Sequence, residues 1–578
     1  INLASSNRSL TNVLYAFILI IFVLFVILPT TFVLIYVPTR FSEINIFFHD
    51  NPSSFPIIFN ALVMSFAVSL TVTFIDLIFG FSLAWILSKK NFRGKELINT
   101  LIESPLAIPT AGLGFSVAIF WARTPLISVL PIGSLQLIDN SNIFLAIVLF
   151  HFTTTFPYVV RSLTEILEEI DKNFEIVALT CGASKLTAAR TVTMPMFRSG
   201  FSTAAVLSLA KSLSDTGGVV TLLTTIKGSK LVDTDRIQAT ALIDIWKGVK
   251  TSQYDAALSF VSFLMIILSL ILILSVKIFI RRAKAPTSKV YPNIEHKISK
   301  GVYVQFRNSI TTGFIVLFVF IPSFFIFAYL LVSPVSNTVD WGPFFGSIFI
   351  SLIVASLATI INILIGIPIA ILITRKRSRV SSVIDALVDV PYLVPSAALG
   401  ISVALFWKSD LSFMNFLCGN GLCIPIPDII LVIFAHMSMT FPFIARNVIG
   451  GLEEFNVAIE ETARTLGARP LQVFTKITLP SIKGSILAGA VMGFTRSIGE
   501  TGATLAVSGL QTAPVYIVNQ IKQFNNYSLA AVATLFLTVI VYLFILSAKL
   551  VLNTSEIKKT ISALRESIKE RSRKKSPN

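Results

Sequence analysis

Two pairs of oppositely charged side chains stand inside long apolar stretches of the sequence. Lys211 and Asp215 form one pair, and Arg496 and Glu500 form the other. The residues of each pair are four positions apart, so a helix brings them to one face, where their charges neutralise each other. Charges in such surroundings are costly and usually face the bundle interior or a water-filled cavity. The pairs therefore line a solute path or gate, or they fix helix packing, and the sequence leaves both interpretations open.

Glycines flank both charged pairs. Gly217 and Gly218 follow the first pair, and Gly499 and Gly502 surround the last residue of the second. Glycine lets two membrane helices approach closely or lets one of them unwind locally. We therefore expect tight helix contact or irregular backbone beside the charges.

Histidine and cysteine offer little further chemistry, since the chain has four His and three Cys. His151 and His436 lie inside apolar stretches, where each is a hydrogen-bonded core residue or both form a paired site. Cys418 and Cys423 lie in a predicted outer loop, 408–427, where oxidation is permitted, so they form a small disulfide or remain two thiols. Neither set predicts a metal site or a catalytic group.

Two polar segments, 165–195 and 453–480, share a pattern. Each has an Ala-rich stretch of helical periodicity, then a glycine, then an amphipathic stretch that ends in proline. Gly182 and Gly467 suit the left-handed conformation that ends a helix, and Pro470 suits the first turn of the next one. We predict two short helices joined by a bend on the cytoplasmic face. They dock onto a cytoplasmic partner or, in the plainer alternative, lie there without one.

The composition places these residues in a membrane protein. Of the 578 residues, 54% are hydrophobic and 13% are charged, and the mean hydropathy is +0.80. Soluble domains carry roughly 25% charged residues, so a soluble enzyme is excluded. A helix needs roughly 20 apolar residues to cross a bilayer. Twelve stretches meet this length: 12–37, 57–87, 100–121, 141–162, 199–225, 256–280, 309–333, 345–374, 386–407, 428–448, 484–510 and 528–550.

The net charge of +17 comes from 47 Lys and Arg against 30 Asp and Glu. The basic residues concentrate in four segments, 89–95, 277–307, 375–379 and 558–575. Twelve spans place all four segments on one side of the membrane, together with both termini. Because basic loops mark the cytoplasmic side, the charge indicates orientation in a cell membrane and not a nucleic-acid partner.

The chain is an internal duplication, with residues of the first half recurring 285 or 286 positions later. The matched pairs include His151 and His436, Pro157 and Pro442, Arg161 and Arg446, Gly182 and Gly467, and Pro109 and Pro395. Each half has six spans, so both halves enter and leave on the same side, which makes the repeat parallel. We predict an all-α membrane fold of two six-helix repeats, 1–281 and 307–551, with a cytoplasmic linker 282–306 and a basic cytoplasmic tail 552–578.

The second polar segment resembles the EAA motif of ABC-importer permeases. That motif reads Glu-Ala-Ala, three residues, Gly, nine residues, Ile, one residue, Leu-Pro. The matching positions are Glu461-Thr462-Ala463, Gly467, Ile477 and Leu479-Pro480. Every spacing is met, and Thr462 is the one substitution.

The first polar segment matches the motif less closely. It keeps Ala178, Gly182 and Pro195. Ile176 stands where the motif has its acid, although Glu175 is adjacent. The difference puts equal docking of the two segments in question.

The runs beside the charged pairs resemble permeases for different solutes. Residues 496–504 resemble the corresponding helix of the molybdate, tungstate, sulfate and phosphate permeases. Asp215-Thr216-Gly217-Gly218 is more similar to the single-chain permeases for ferric iron and thiamine. The resemblance therefore implies an inorganic oxyanion or ferric iron as the preferred substrate and does not choose between them.

The resemblance as a whole implies a fused, two-half type I permease of an ABC importer. Each EAA segment then docks in a groove of one of two cytoplasmic ATPase subunits, and an external solute-binding protein delivers the substrate. The docking residues that it implies are Glu175, Ala178, Gly182, Pro195, Glu461, Ala463, Gly467 and Pro480.

The chain has no GxxxxGK[ST] sequence, the loop that cradles the phosphates of ATP in many ATPases. We therefore expect ATP and Mg²⁺ in a partner subunit, no cofactor on this chain and no enzymatic activity of its own. The alternative is a secondary transporter with twelve spans that an ion gradient drives. Such a transporter needs no ATPase-docking helices.

Overall fold

A computed structural model of the chain describes residues 8–89, 95–121, 142–227, 237–248, 253–282, 301–332, 340–376, 378–409, 411–413, 415, 426–548 and 550. Every regular element in these ranges is a helix. Seven helices are long and apolar enough to cross a membrane, and counting each bent pair of helices as one span raises that number to eleven. The predicted all-α, multi-pass membrane fold is confirmed.

The first half begins with a first span built from several consecutive helical pieces. The helices of this half are Arg8–Phe22, Val23–Ile27, Leu28–Thr31, Val33–Thr39, Phe41–Asp50, Ser54–Lys89, Lys95–Glu103, Ser104–Ala107, Thr110–Trp121, Ile143–Glu169, Lys172–Thr180, Lys185–Ala188, Ala189–Thr193, Met194–Met196, Arg198–Ser214, Gly217–Lys227, Ala239–Gly248 and Gln253–Arg282.

The second half repeats most of this order. Its helices are Val302–Ile315, Val316–Phe320, Ile321–Val332, Trp341–Arg375, Arg379–Val388, Val390–Leu393, Ser396–Lys408, Asp428–Glu454, Val457–Thr465, Pro470–Val473, Phe474–Thr478, Leu479–Ser481, Lys483–Ile498, Gly502–Val507 and Ala513–Lys522, followed by the span Tyr527–Ala548.

The first span of each half packs against the other half. Residues 8–39 contact helices of the second half, and residues 302–332 contact helices of the first. Pro29 has no N–H to donate to the carbonyl of Phe25, four residues earlier. The Ser438 hydroxyl of the second half donates to that carbonyl at 3.2 Å. The Val33 amide, in turn, donates to the Ser402 hydroxyl at 3.0 Å.

The other first span repeats this arrangement in the opposite direction. Pro322 cannot bond the Phe318 carbonyl, and the Thr153 hydroxyl of the first half donates to it at 3.0 Å. The Ile326 amide donates to the Ser116 hydroxyl at 3.0 Å. Because an unbonded backbone group is costly in a membrane, these hydroxyls fix each first span on the opposite half.

The third span of each half is sharply bent, where the sequence predicts a single crossing helix. The two parts turn by 109° before Thr110 and by 110° before Ser396. The residues that precede Pro109 and Pro395 are Ile108 and Val394, and both are extended, with ψ of 128°. Proline disfavours the helical region for the residue before it, which accounts for the bend at both places.

Several predicted features lie outside the described residues. They are most of the linker 282–306, the basic tail 552–578, and the pair Cys418 and Cys423. The disulfide and the domain boundaries therefore stay predictions.

Candidate translocation path and coupling loops

The fifth span of each half is interrupted beside its charged pair, although the sequence predicts continuous spans at 199–225 and 484–510. One helix ends at Ser214 and the next begins at Gly217, and Asp215 between them is extended, with ψ of 116°. In the second half the interruption lies between Ile498 and Gly502. Glycine is a poor helix former, so the flanking glycines favour a break over a continuous helix.

Both charged pairs form ion pairs. Lys211 Nζ lies 3.1 Å from Asp215 Oδ2, and the Arg496 guanidinium lies 2.7 Å from Glu500 Oε2. The Glu500 side chain also accepts a hydrogen bond from the backbone N–H of Ala503 at 3.0 Å. It therefore holds the start of the short helix Gly502–Val507 as well as the guanidinium.

The two interrupted helices meet at the contact between the halves. A Cβ atom on Gly217 would lie 2.3 Å from the Cβ of Thr501, and one on Gly502 would lie 2.6 Å from the Cβ of Thr216. Because real Cβ atoms do not approach so closely, only glycine fits at these two positions. Among the described residues, the buried hydroxyls of Thr216 and Thr501 have no hydrogen-bond partner.

A small cavity lies between the halves at this level. Its polar lining consists of Lys211, Arg496, Ser214, Tyr158 and Tyr392, and the described residues around it include no carboxylate. Its volume is about 20 Å³. A water molecule needs roughly 10–15 Å³ of such space, so the cavity has room for one water and is too small for a larger solute.

Sequence reasoning missed the two tyrosines of this cavity. Tyr158 corresponds to Phe443, 285 positions later, and Tyr392 corresponds to Leu106, 286 positions earlier. A phenol in one half, where the other half has an apolar side chain, is the signal that could have identified them.

The two intramembrane histidines are hydrogen-bonded within their own halves. His151 Nε2 lies 2.9 Å from Gln238 Oε1. The His436 ring lies 2.7 Å from the Ser497 hydroxyl and 2.9 Å from that of Thr504. These contacts favour the core interpretation over a paired site.

The two EAA segments fold as short helices joined by bends. The first helices are Lys172–Thr180 and Val457–Thr465, and Asp171 and Asn456 cap them by accepting from backbone N–H groups. Gly182 and Gly467 follow with φ of +88° and +87°, a conformation that L side chains rarely adopt. We name these segments the coupling loops, 171–196 and 456–481.

An ion pair joins each coupling loop to the end of a long membrane helix. Lys89 Nζ lies 2.6 Å from Glu175 Oε2, and the Arg375 guanidinium lies 3.0 Å from Glu460 Oε1. The Thr478 hydroxyl also donates to Glu460, at 2.8 Å. The acid found at the repeat-related position in both halves is therefore Glu175 in the first and Glu460 in the second. The motif residue Glu461 is exposed.

The outer faces of the coupling loops are apolar and exposed. The first presents Phe174, Ile176 and Val177 at 54, 53 and 60% exposure, and the second presents Ile459 and Leu466 at 49 and 83%. Of the predicted docking residues, the exposed ones are Gly182, Glu461, Gly467 and Pro480, and the half-buried ones are Glu175, Ala178, Pro195 and Ala463. Contiguous exposed apolar surface is typical of a protein interface.

Comparison with known proteins gives one family and a set of similar relatives. The family described as "Binding-protein-dependent transport system inner membrane component" matches residues 76–285 and 362–555. A sulfate transport system permease protein CysW of Synechococcus elongatus is 35% identical over 150 residues, which are 24% of this chain and 50% of the relative. A sulfate transport system permease protein CysT of Salmonella typhimurium is 32% identical over 155 residues, 26% of this chain and 55% of the relative. The chain thus spans about half the length of these curated relatives.

Proposed function

The chain belongs to the family of binding-protein-dependent transport system inner membrane components, and we propose that it forms the translocation path of an ATP-driven ABC importer for an inorganic oxyanion. Both family repeats stand in one polypeptide, so the two halves of the path come from a single chain. The substrate class rests on the cavity between the halves, whose lining includes Lys211 of the first half and Arg496 of the second.

The electrostatics of this cavity favour an anion over the other candidates. Two cations from repeat-related positions face one constriction, while their carboxylate partners do not line it. Cationic rings select anions in membrane pores. Ferric iron and thiamine are cations, so the same lining would repel them. The similar relatives named as sulfate permeases support the same choice.

Transport requires the halves to separate at the interrupted helices. The cavity has room for a water only. The close contacts of Thr216 with Gly502 and of Thr501 with Gly217 join the interrupted helices of the two halves. In this account Asp215 and Glu500 neutralise the cations while the path is empty. Both roles that the sequence leaves open then apply. The ion pairs stabilise the closed packing, and their cations line the path.

The coupling loops transmit the energy of ATP from the ATPase subunits to the membrane spans. Their exposed apolar faces would dock into two copies of a cytoplasmic ATPase subunit, which binds ATP and Mg²⁺. The ion pairs of Glu175 with Lys89 and of Glu460 with Arg375 tie each loop to a long span. A displacement of the loop would therefore move that span. An external solute-binding protein would supply the substrate on the opposite face of the cell membrane, with both termini of the chain in the cytoplasm.

A secondary transporter driven by an ion gradient would have no use for two exposed apolar loops in repeat-related positions. One experiment separates the two mechanisms. Cells that lack their own sulfate uptake express the chain with its ATPase and binding protein, and the initial uptake of radiolabelled sulfate is measured. We expect uptake that survives a protonophore while ATP is maintained and that vanishes when the ATPase subunit carries an inactive nucleotide site. Uptake that needs the proton gradient and not the ATPase would overturn the proposal.

A further inference from the structure

Two phenols face the closed cavity from opposite halves. Tyr158 stands on the helix Ile143–Glu169 and Tyr392 on the short helix Val390–Leu393. Arg496 lines the same cavity. In the part of the chain that the structure describes, neither phenol oxygen makes a hydrogen bond to another residue. Both hydroxyls are therefore free to bind something that enters the cavity.

The fold does not require these phenols. The positions equivalent to Tyr158 and Tyr392 hold Phe443 and Leu106, which have no hydroxyl. Phe443 also lines the cavity, and its ring packs against that of Tyr392 with 5.4 Å between centroids. An apolar ring at this level is thus compatible with the packing. The two hydroxyls therefore add hydrogen-bonding groups that the repeat does not share, beside two cations that stand at repeat-related positions.

The polar side chains that line the cavity can all donate a hydrogen bond. Lys211 and Arg496 can only donate, and the hydroxyls of Tyr158, Tyr392 and Ser214 can donate or accept. Asp215 and Glu500, which can only accept, are bound to their own cations and do not line the cavity. A fully ionised tetrahedral dianion such as sulfate offers acceptors only, so every polar side chain of the lining can donate to it.

We propose that Tyr158 and Tyr392 bind the substrate, donating with Arg496 to a fully ionised tetrahedral oxyanion as it passes between the halves. The inference rests on the proposed function and adds two residues of the path.

The test uses the whole complex in proteoliposomes, so that the binding protein and the ATPase are the same in every sample. The quantity is sulfate taken up per ATP hydrolysed, which isolates the membrane step from recognition by the binding protein. We expect Tyr158→Phe with Tyr392→Phe to lower this ratio about tenfold, the size expected for lost hydrogen bonds to a charged group. Tyr303→Phe removes the same atom at an exposed position and should leave the ratio unchanged.

Three outcomes are distinguishable. A wild-type complex that assembles and hydrolyses ATP but moves no sulfate would overturn the proposed substrate, and this inference with it. Wild-type sulfate transport that the double variant matches per ATP would overturn the inference alone. A lowered ratio in the double variant with a normal Tyr303→Phe control supports it. Tyr158→Phe alone serves if the double variant assembles poorly, since Phe443 shows that a phenyl ring fits at the equivalent place.

Discussion

Thr216 of the first half packs so closely against Gly502 of the second half that a Cβ atom on Gly502 would lie 2.6 Å from the Cβ of Thr216. The repeat reverses the pair, so that Thr501 packs against Gly217. The two contacts lie beside the ion pairs and join the interrupted helices of both halves. In the proposed mechanism, the path between the halves opens or closes at these residues.

A methyl group at this contact should impair the closed state. We predict that Gly502→Ala lowers the thermal stability of the purified protein, because overpacking a tight contact costs about 1–3 kcal/mol. ATP-driven uptake should fall as well. Gly450→Ala is the matched control, since a Cβ atom there meets nothing within 4 Å. An unchanged melting temperature and unchanged uptake in Gly502→Ala would contradict the tight contact.

Neutralising Glu500 should leave Arg496 buried without a counter-charge. Glu500→Gln keeps an acceptor for the Ala503 amide but loses the ion pair, and an uncompensated buried charge costs about 3–5 kcal/mol. We expect the variant to reach the membrane and to transport poorly, as measured by immunoblot and sulfate uptake. Wild-type uptake by this variant would remove the functional role of the pair.

The double variant Arg496→Gln with Glu500→Gln distinguishes a role of the ion pair in the solute path from a role in helix packing. Removing both charges avoids the stranded cation, so we expect the protein to recover stability relative to Glu500→Gln. Uptake should stay low because the path has lost a cation. Recovery of both stability and uptake would mean that the ion pair serves packing alone.

Breaking the bond between a coupling loop and its span should uncouple hydrolysis from transport. In Glu460→Gln the Arg375 guanidinium loses its charged partner, while the exposed apolar face of the loop is unchanged. We predict that ATPase subunits still co-purify and hydrolyse ATP, and that uptake per ATP falls several-fold. Glu453→Gln, at an exposed carboxylate, is the control. Loss of co-purification in Glu460→Gln would instead place Glu460 in the docking surface.

Cys181 reports docking of the first coupling loop directly. It is exposed and follows the helix Lys172–Thr180. With Cys418 and Cys423 replaced by Ser, we predict that maleimide labels Cys181 in the isolated chain and labels it much more slowly once the ATPase subunits are bound. Equal labelling rates, measured by mass shift, would show that the first loop stays uncovered. The second loop could then be the sole docking element.

The sequence alone was sufficient for the features that local patterns encode. Hydropathy located the spans, and the glycine and proline spacing located the coupling loops with their left-handed bends at Gly182 and Gly467. It also predicted the contact between Lys211 and Asp215, although Asp215 lies just past the end of the helix and not on its face.

The remaining features depend on contacts between distant segments. The exchange of first spans rests on bonds such as Ser438 to Phe25, and the Tyr158–Tyr392 cavity rests on both halves meeting. The breaks in the two fifth spans depend on glycines, which the sequence shows, and on tight packing between the halves, which no local pattern reveals. The motif spacing pointed to Glu461, whereas the ion pair that repeats in both halves uses Glu460. The sequence motif does not reveal which of the two side chains faces the neighbouring membrane span.

The most direct test of the central claim is sulfate uptake into proteoliposomes that contain the chain and its ATPase, with binding protein outside and ATP inside. We predict uptake that requires both ATP and the binding protein and that falls at least tenfold in the double variant Arg496→Gln with Glu500→Gln, while ATPase subunits remain bound. Uptake that proceeds on an ion gradient without ATP, or that is indifferent to Arg496, would contradict an ATP-driven oxyanion path between the two halves.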